Sequence, residues 1–345
     1  MMQGAVYLGD RKVELREFPE PTPGKGEVVV ATKASGLCGS DLNYYRAAAD
    51  GAGRCIAGHE PAGVVHSVGE GVSDALAKVG DRVMIHHYIG CGACSDCRSG
   101  WSQMCLVQPI VVLGSDDHGG HAPYVKVPAS TLVPLDDTLS FEAGAAISCG
   151  TGTAWGALDR VGDVGGKFVV VFGQGPVGLS ATMLATALGA RVIAVDLNAK
   201  RREQALAFGA VAAVDPANGP VPEAIREIAG ADGVPVGLET SGSSIAAAAL
   251  VDSLERWGRA CFVGVGAEIR IGVLPYLRRQ LTVMTSWSMS WVGQKDCADF
   301  IVAHNLPVDA LFTHRWRLDE VSEAYEEFDQ QRAGKGVIVF ESTSI

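Results

Sequence analysis

Four cysteines crowd one stretch of the chain: Cys91, Cys94, Cys97 and Cys105, in the run G-C-G-A-C-S-D-C-R-S-G-W-S-Q-M-C. Short C-x-x-C steps let successive thiolates converge on one Zn²⁺ at about 2.3 Å, with Gly92 and Gly100 easing the tight backbone. Four sulfurs fill the coordination sphere, so this lobe is expected to hold a loop and catalyse nothing. A second set is dispersed. Cys38 and Asp41 stand in G-L-C-G-S-D-L-N, His59 and Glu60 in A-G-H-E-P-A-G, and Cys149 in I-S-C-G-T-G-T. Two thiolates and one imidazole (Cys38, Cys149 and His59) would leave a fourth position open for water or a substrate oxygen, which is the pattern of catalytic zinc. Each piece is weak singly; the combination is specific.

A third group suits a nucleotide. Gly173, Gly175, Pro176, Val177 and Gly178 lie in G-Q-G-P-V-G, directly after the apolar run K-F-V-V-V-F and at the head of a helical pattern. The first glycine permits the tight turn, the second admits a pyrophosphate to the backbone, and the third allows close helix–sheet packing. The helix N-terminus then offers free N–H groups to the phosphates. Asp196 ends the next strand pattern, R-V-I-A-V-D, 18 residues after Gly178. A carboxylate there accepts hydrogen bonds from the ribose hydroxyls of NAD and repels the 2′-phosphate of NADP. Arg201 follows close enough to sit near the same ribose and relax that choice.

The elements that must position these groups change character along the chain. From Met1 to about Pro128 short β runs are broken by Gly and Pro, near Val28, Val64, Val83 and Val125, which predicts an irregular barrel-like β domain. F-E-A-G-A-A-I-S-C-G-T-G-T-A-W-G-A-L is Ala-rich and helix-prone, and strands and helices then alternate, as in a parallel sheet with helices on both faces. From about Ser288 the segments are short helices closed by G-V-I-V-F and are expected to return to the first domain.

Composition narrows the function classes. A chain of 345 residues suggests two domains, and 48% hydrophobic with 19% charged residues indicates well-buried cores. The net charge of −11 argues against nucleic acid or an anionic membrane as partner, and against reading the cysteine lobe as a DNA-binding module. Nine cysteines in a chain of this size fit metal ligation in a reducing compartment better than a disulfide framework, with Cys55, Cys261 and Cys297 left as small buried hydrophobes. The N-terminal run has no apolar core after a basic start, and no apolar stretch reaches a membrane-spanning length, so a cytoplasmic protein is expected.

Taken together, G-L-C-G-S-D, G-H-E, C-G-A-C-S-D-C, I-S-C-G-T-G-T and G-Q-G-P-V-G resemble the zinc-dependent medium-chain alcohol dehydrogenases, in that family's order and over nearly the whole chain. The resemblance implies an α/β fold, with a GroES-like irregular β-barrel catalytic domain over 1–149 and 289–345 and a doubly wound Rossmann domain over 150–288. It implies two Zn²⁺ per chain and NAD, an alcohol or carbonyl substrate, and a homodimer or homotetramer. The oligomer would be joined through the segment A-C-F-V-G-V-G and the following E-I-R-I-G-V-L. By resemblance Cys38, His59 and Cys149 hold the catalytic zinc, Glu60 approaches it during ligand exchange, Asp41 orients His59, and Ser40 takes the alcohol proton. Thr153 and Val177 position the nicotinamide. Lys335 touches the pyrophosphate, unless it is a solvated turn lysine. Two departures stand out: Asn43 occupies the place where the family's proton relay often ends in His, and Gly39 the place where some members carry a basic group.

The substrate is less legible. Tyr44, Tyr45, His86, His87, Tyr88, Asp116, Asp117, His118 and His121 would give a polar lining suited to a polyol, sugar-derived or amino-alcohol substrate, whereas Trp155, Trp287 and Trp291 point to a bulky apolar one. A different class stays open: a non-catalytic zinc-stabilised nucleotide-binding protein that senses oxidation by releasing metal.

Overall fold

The Val-rich run Glu27–Gly36 forms a ten-residue strand that pairs with three others. It sits inside a seven-stranded sheet in the order Phe312–Trp316, Lys335–Val339, Glu27–Gly36, Glu60–Val68, Arg82–Ile85, Leu132–Pro134, with Tyr124–Pro128 also paired to it. Close approach has a cause in sequence: a Cβ on Gly63 would come within 2.1 Å of the Ala31 carbonyl oxygen across the ladder. Register shifts at Val29/Val30 and Thr32/Ala34 bend the strand, as bulges do. Val28, Val30, Val65, Val83, Ile85, Val125 and Val127 close the core on one side. A second core joins the chain ends: Tyr7 of the hairpin Met2–Gly9/Lys12–Phe18 packs with Leu37, Tyr45, Trp316, and with Tyr325 and Phe328 of the helix Val321–Asp329.

The computed structural model describes residues 1–49, 55–332 and 334–341. This barrel-like unit comprises Met1–Cys149 and Ser290–Ile345; the second unit is Gly150–Met289, so Met289 falls one residue beyond the expected boundary.

In the second unit six parallel strands run in the order Ala212–Val214, Arg191–Val195, Phe168–Phe172, Val234–Glu239, Leu254–Phe262, Thr282–Thr285. This is the Rossmann order, reversing beside Phe168–Phe172, the strand that leads into G-Q-G-P-V-G. Val169, Val170 and Val171 are fully buried, as a strand covered on both faces requires. Helices Pro176–Ala187, Ala199–Ala207, Val221–Ala229 and Ser244–Ser253 make the crossovers.

The Ala-rich stretch is helical, as expected, but in parts: Phe141–Ala146 and Gly152–Val161 are separated by a π-helical turn, Ile147–Thr151, that carries Cys149. Such widened turns cluster at functional sites. The alternating run E-I-R-I-G-V-L forms no strand; the sheet's edge is Thr282–Thr285. Among the described residues no helix is long and apolar enough to cross a membrane.

Candidate metal centres and nucleotide site

Cys38, His59, Glu60 and Cys149 come from three separate segments, yet one ligand atom of each lies within 4.8 Å of all the others. Cys38 follows the strand Glu27–Gly36, His59 immediately precedes and Glu60 opens the strand Glu60–Val68, and Cys149 lies in the π-helical turn. Gly36 makes room, because a Cβ there would meet Glu60 Oε2 at 1.9 Å. The Cys38 and Cys149 sulfurs are 3.8 Å apart, which is about the separation of two thiolates bound tetrahedrally to one zinc at ~2.3 Å. Glu60 Oε1 is buried with no hydrogen-bond partner, a free lone-pair donor beside that set. These residues fit a zinc ion.

Charge in this cluster is arranged for a cation. His59 Nδ1 lies 2.9 Å from Asp41 Oδ1. Burial opposes a charge on the His59 ring, but Asp41 and the Cys38 sulfur outweigh it and hold its pKa well above the usual histidine range. The contact with Cys149 first, then the His59 and Lys335 charges, hold the Cys38 thiol well below its ordinary range despite burial. Ser40 Oγ is 3.3 Å from Cys38 Sγ and 3.4 Å from His59 Nε2.

The cysteine lobe is built differently. Its four sulfurs also lie within 4.8 Å of one another, and Cys91 and Cys97 are 3.9 Å apart. Gly92 and Gly100 take φ of 68° and 88°, the left-handed region that glycine enters without strain. Backbone N–H groups of Ala93 and Cys94 donate to Cys91 Sγ at 3.4 and 3.3 Å and lower its pKa, and backbone donors bring Cys105 down to about 6.

In the Rossmann unit the three motif glycines divide the work as expected. Gly173 has φ of 83°, and a Cβ on Gly178 would strike the Gly173 carbonyl at 1.8 Å, whereas one on Gly175 would meet nothing within 4 Å. The middle glycine therefore faces open space, where a pyrophosphate could approach. Pro176 and Val177 begin the helix, and Thr153 lies in the helix Gly152–Val161. Asp196 Oδ2 accepts from the Gln174 N–H at 2.6 Å and Oδ1 from the Asn198 N–H at 2.7 Å, so the carboxylate is pinned at the mouth of the glycine turn. The Arg201 guanidinium stands 4.0 Å from it. Arg202 is held by Asp215 at 2.8 Å and by the Asp196 and Leu197 carbonyls.

Residues 24–137 match the alcohol dehydrogenase GroES-like domain and residues 176–303 the zinc-binding dehydrogenase domain. An uncharacterised zinc-type alcohol dehydrogenase-like protein of Escherichia coli is 35% identical, covering 97% of this chain and 98% of its own. The chain belongs to the zinc-type alcohol dehydrogenase family of medium-chain dehydrogenases. An L-threonine 3-dehydrogenase of Coxiella burnetii is 29% identical over 95% of this chain and 96% of its own. The solved alcohol dehydrogenase from Thermus sp. ATN1 superposes with a TM-score of 0.91 at 26% identity, covering 99% of this chain and 100% of that one.

One expected surrounding changes. Lys335 is not a solvated turn residue. Its side chain is 2% exposed, and its ammonium pairs with Glu60 Oε2 and donates to the Leu37 carbonyl at 3.1 Å. Burial pushes Glu60 up to about 8 while the Lys335 charge pulls it back. Several residues expected to line a cleft also go elsewhere. His121 is fully buried between Ser35 and Tyr325, Tyr45 packs on Tyr325, and Asp116 and His118 tie down loop backbone at Val112 and Ile56. Trp291 Nε1 donates to the Leu132 carbonyl, and Trp287 is half exposed. His87, by contrast, does meet a metal-site residue: its ring lies 4.9 Å from that of His59, with Nδ1 held 3.1 Å from the Ser148 carbonyl. Cys261 and Cys297 are buried as expected, but Cys55 is only partly so.

Proposed function

We propose that this dehydrogenase transfers hydride between a primary or secondary alcohol and NAD, using one zinc held by Cys38, His59 and Cys149, while a second zinc in the Cys91, Cys94, Cys97 and Cys105 lobe is structural. The observation that carries the reading is the convergence of two thiolates and an Asp-anchored imidazole beside a buried, unpartnered carboxylate oxygen. Bound there, zinc supplies Lewis-acid polarisation of the substrate oxygen.

The chain's own residues do the rest. Asp41 accepts from His59 Nδ1, which fixes the tautomer and leaves Nε2 as the ligand atom. Ser40 Oγ, within 3.4 Å of that Nε2, takes the hydroxyl proton on oxidation and returns it on reduction. Hydride leaves the carbinol carbon with its electron pair for the nicotinamide ring, so the alcohol loses two electrons and one proton passes to Ser40. Asn43 cannot titrate, so from Ser40 the proton leaves through water, a ribose hydroxyl or another base. Asp196 holds the ribose hydroxyls, Gly175 admits the pyrophosphate, and Thr153 and Val177 position the nicotinamide. Free thiolates suit a reducing compartment such as the cytoplasm.

A second reading within the family, a hydroxy amino acid, amino alcohol or polyol as substrate, is favoured by the likeness to an L-threonine 3-dehydrogenase and by the His87 ring beside His59. The deciding experiment is a screen of alkanols, polyols and L-threonine with NAD and NADP on zinc-loaded protein. Turnover of none of them, with metal released on oxidation, would favour a redox sensor instead.

The assembly proposed is a homodimer or a tetramer of dimers formed through the Rossmann sheet edge. Thr282–Thr285 has an unpaired side among the described residues, and Val265, Val273 and Leu274 nearby in sequence are 88%, 69% and 80% exposed. Light scattering at micromolar concentration should give a multiple of 36.0 kDa; a monomer would remove this proposal.

A further inference from the structure

Asp41, which orients His59, is itself held by a buried hydroxyl chain drawn from distant segments. Tyr325 OH lies 3.3 Å from Asp41 Oδ2, 2.6 Å from Tyr7 OH and 2.9 Å from His121 Nε2, and His121 Nδ1 lies 2.8 Å from Ser35 Oγ. Tyr325, His121 and Ser35 have no exposed surface, and Tyr7 is 5% exposed. A bond left unmade here strands a buried polar group.

The protons can be counted. An ionised carboxylate only accepts, and a phenol carries one proton and two lone pairs. Burial holds both phenols well above their usual range and brings His121 down to about 4, so the ring is neutral and has a single N–H. One assignment fills all four contacts. Ser35 donates to His121 Nδ1, His121 Nε2–H and the Tyr7 hydroxyl both donate to Tyr325, and Tyr325 spends its one proton on Asp41. If Tyr325 donated to His121 instead, its 3.3 Å contact with Asp41 would hold no proton. The chain is thus directed toward Asp41, and each member fixes the next.

We propose that Tyr325 is a positioning residue for the zinc that does chemistry: its hydroxyl, aimed by Tyr7 and His121, fixes Asp41 and through it the His59 imidazole. This rests on the reading of Cys38, His59 and Cys149 as ligands. A tyrosine serving only the core would need one partner for its hydroxyl; this one has three, and the one it donates to is the carboxylate bonded to a metal ligand. The placement also makes the C-terminal helix Val321–Asp329 part of the metal site's support, although it supplies no ligand.

Tyr325→Phe keeps the ring and removes only the hydroxyl. In zinc-loaded protein, competition with a chelator should resolve two sites. In the variant the weaker, open site should lose about tenfold in affinity, the low end of what removing an outer partner of a ligand costs. The cysteine lobe should be unchanged. With cobalt in the open site, the visible absorption bands should shift, and kcat/KM of the zinc enzyme should fall by a similar factor. Tyr7→Phe, which leaves the bond to Asp41 but removes one of the groups aiming it, should give a smaller loss in the same direction. It also serves as the test if Tyr325→Phe does not fold. Parent-like metal affinity and cobalt spectrum in the variant, with only the melting temperature lowered, would overturn the proposal. A parent that holds zinc in the cysteine lobe alone would overturn the metal reading, and this proposal with it.

Discussion

The two candidate metal clusters use the same element of chemistry, thiolates converging within 4.8 Å, but are built in opposite ways. The lobe takes all four ligands from one segment, Cys91 to Cys105, with three of the four cysteines partly exposed. Backbone N–H groups stabilise the sulfurs there, and positive-φ glycines turn the chain. The open cluster takes its ligands from three segments and sits in a buried polar nest to which Tyr7, Ser35, Asp41, His121, Tyr325 and Lys335 contribute. A site that only holds a loop needs nothing beyond its own turn. One that must keep a coordination position open, and hold an unsaturated ligand set in one geometry, has to be braced from outside by residues that never touch the metal.

The largest expected effect separates the two clusters outright. Cys38→Ser or His59→Ala should abolish turnover, a loss of at least about 10³-fold (~4 kcal/mol at ~1.4 per decade), while one zinc per chain, NAD binding and the melting temperature are kept. Cys97→Ser should do the reverse, lowering stability or loosening assembly because a closed site contributes folding energy. Metal analysis, kcat and thermal unfolding on the three variants form the test. Turnover surviving loss of Cys38 would take the metal out of the proposed chemistry.

Next comes the brace on Glu60. Lys335 and Glu60 are side by side with side chains 2% and 0% exposed, so Lys335→Met leaves a carboxylate buried without its cation. Breaking one partner of a buried pair costs up to about 3–5 kcal/mol, whereas replacing both can be neutral. The cost is less where the group left behind takes up a proton, as Glu60, with its pKa already raised to about 8, does at neutral pH. Lys335→Met should therefore be destabilised in denaturant unfolding, more at high pH than at neutral pH, and Glu60→Gln in the same chain should restore much of the loss. A single variant as stable as the parent would mean that the pair contributes nothing.

How much of this was readable in advance follows from the same contrast. The lobe and G-Q-G-P-V-G are local, so spacing exposes them, and the three dispersed ligands each carry a recognisable neighbourhood. The brace is not local. Lys335 and Glu60 are 275 residues apart, and Tyr325 is 284 from Asp41; a lysine before a terminal strand and a tyrosine on an amphipathic helix look ordinary in a sequence. The polar run near Asp116 is ambiguous for the converse reason. Groups that satisfy their own loop, such as Asp116 with the Val112 N–H, have the same residue types as groups that bind substrate. E-I-R-I-G-V-L alternates as a strand should, but alternation only licenses a strand where a partner edge exists, and in this chain Thr282–Thr285 takes the sheet edge.

A smaller effect belongs to the lobe's side of the comparison. His86 is 1% exposed with Nδ1 3.2 Å from Gln294 Oε1, and it is faced by Gln103 and the rings of His87 and Tyr88. Burial lowers its pKa to about 4, against small opposing contributions from Gln294 and Gln103. A histidine with a depressed folded pKa is neutral in the native state, so the unfolded chain binds more protons below about pH 6.5. Its stabilising effect is complete above that pH and is lost progressively toward pH 4. Between pH 7 and 5 this one group should remove about 2 kcal/mol, at ~1.4 kcal/mol per pKa unit. Urea unfolding at the two pH values should show that loss in the parent and a loss smaller by about that amount in His86→Gln. Equal pH slopes would mean that His86 is already charged, or is exposed, in the native state.

The last effect lies outside both clusters and asks whether the Rossmann unit is braced for its ligand in the way the metal sites are. Asp196 spends two of its roughly four lone-pair positions on the Gln174 and Asn198 N–H groups, at 2.6 and 2.7 Å, so the remaining ones are fixed in direction and free for ribose hydroxyls. A 2′-phosphate adds about two negative charges. At an effective dielectric of ~20, one unit-charge repulsion at ~4 Å is on the order of 4 kcal/mol, and a tenfold preference for NAD needs only ~1.4. Asp196→Ser should weaken NAD, by loosening the glycine turn and losing ribose bonds, and should improve NADP. The improvement rests on Arg201, 4.0 Å from the carboxylate, because Arg202 is already held by Asp215. With Arg202 held by Asp215, the gain for NADP should be smaller than the loss for NAD. The measurement is kcat/KM for both cofactors in parent and variant. A parent that uses NADP as well as NAD would show that Asp196 does not meet the ribose, and that the turn it pins serves structure alone.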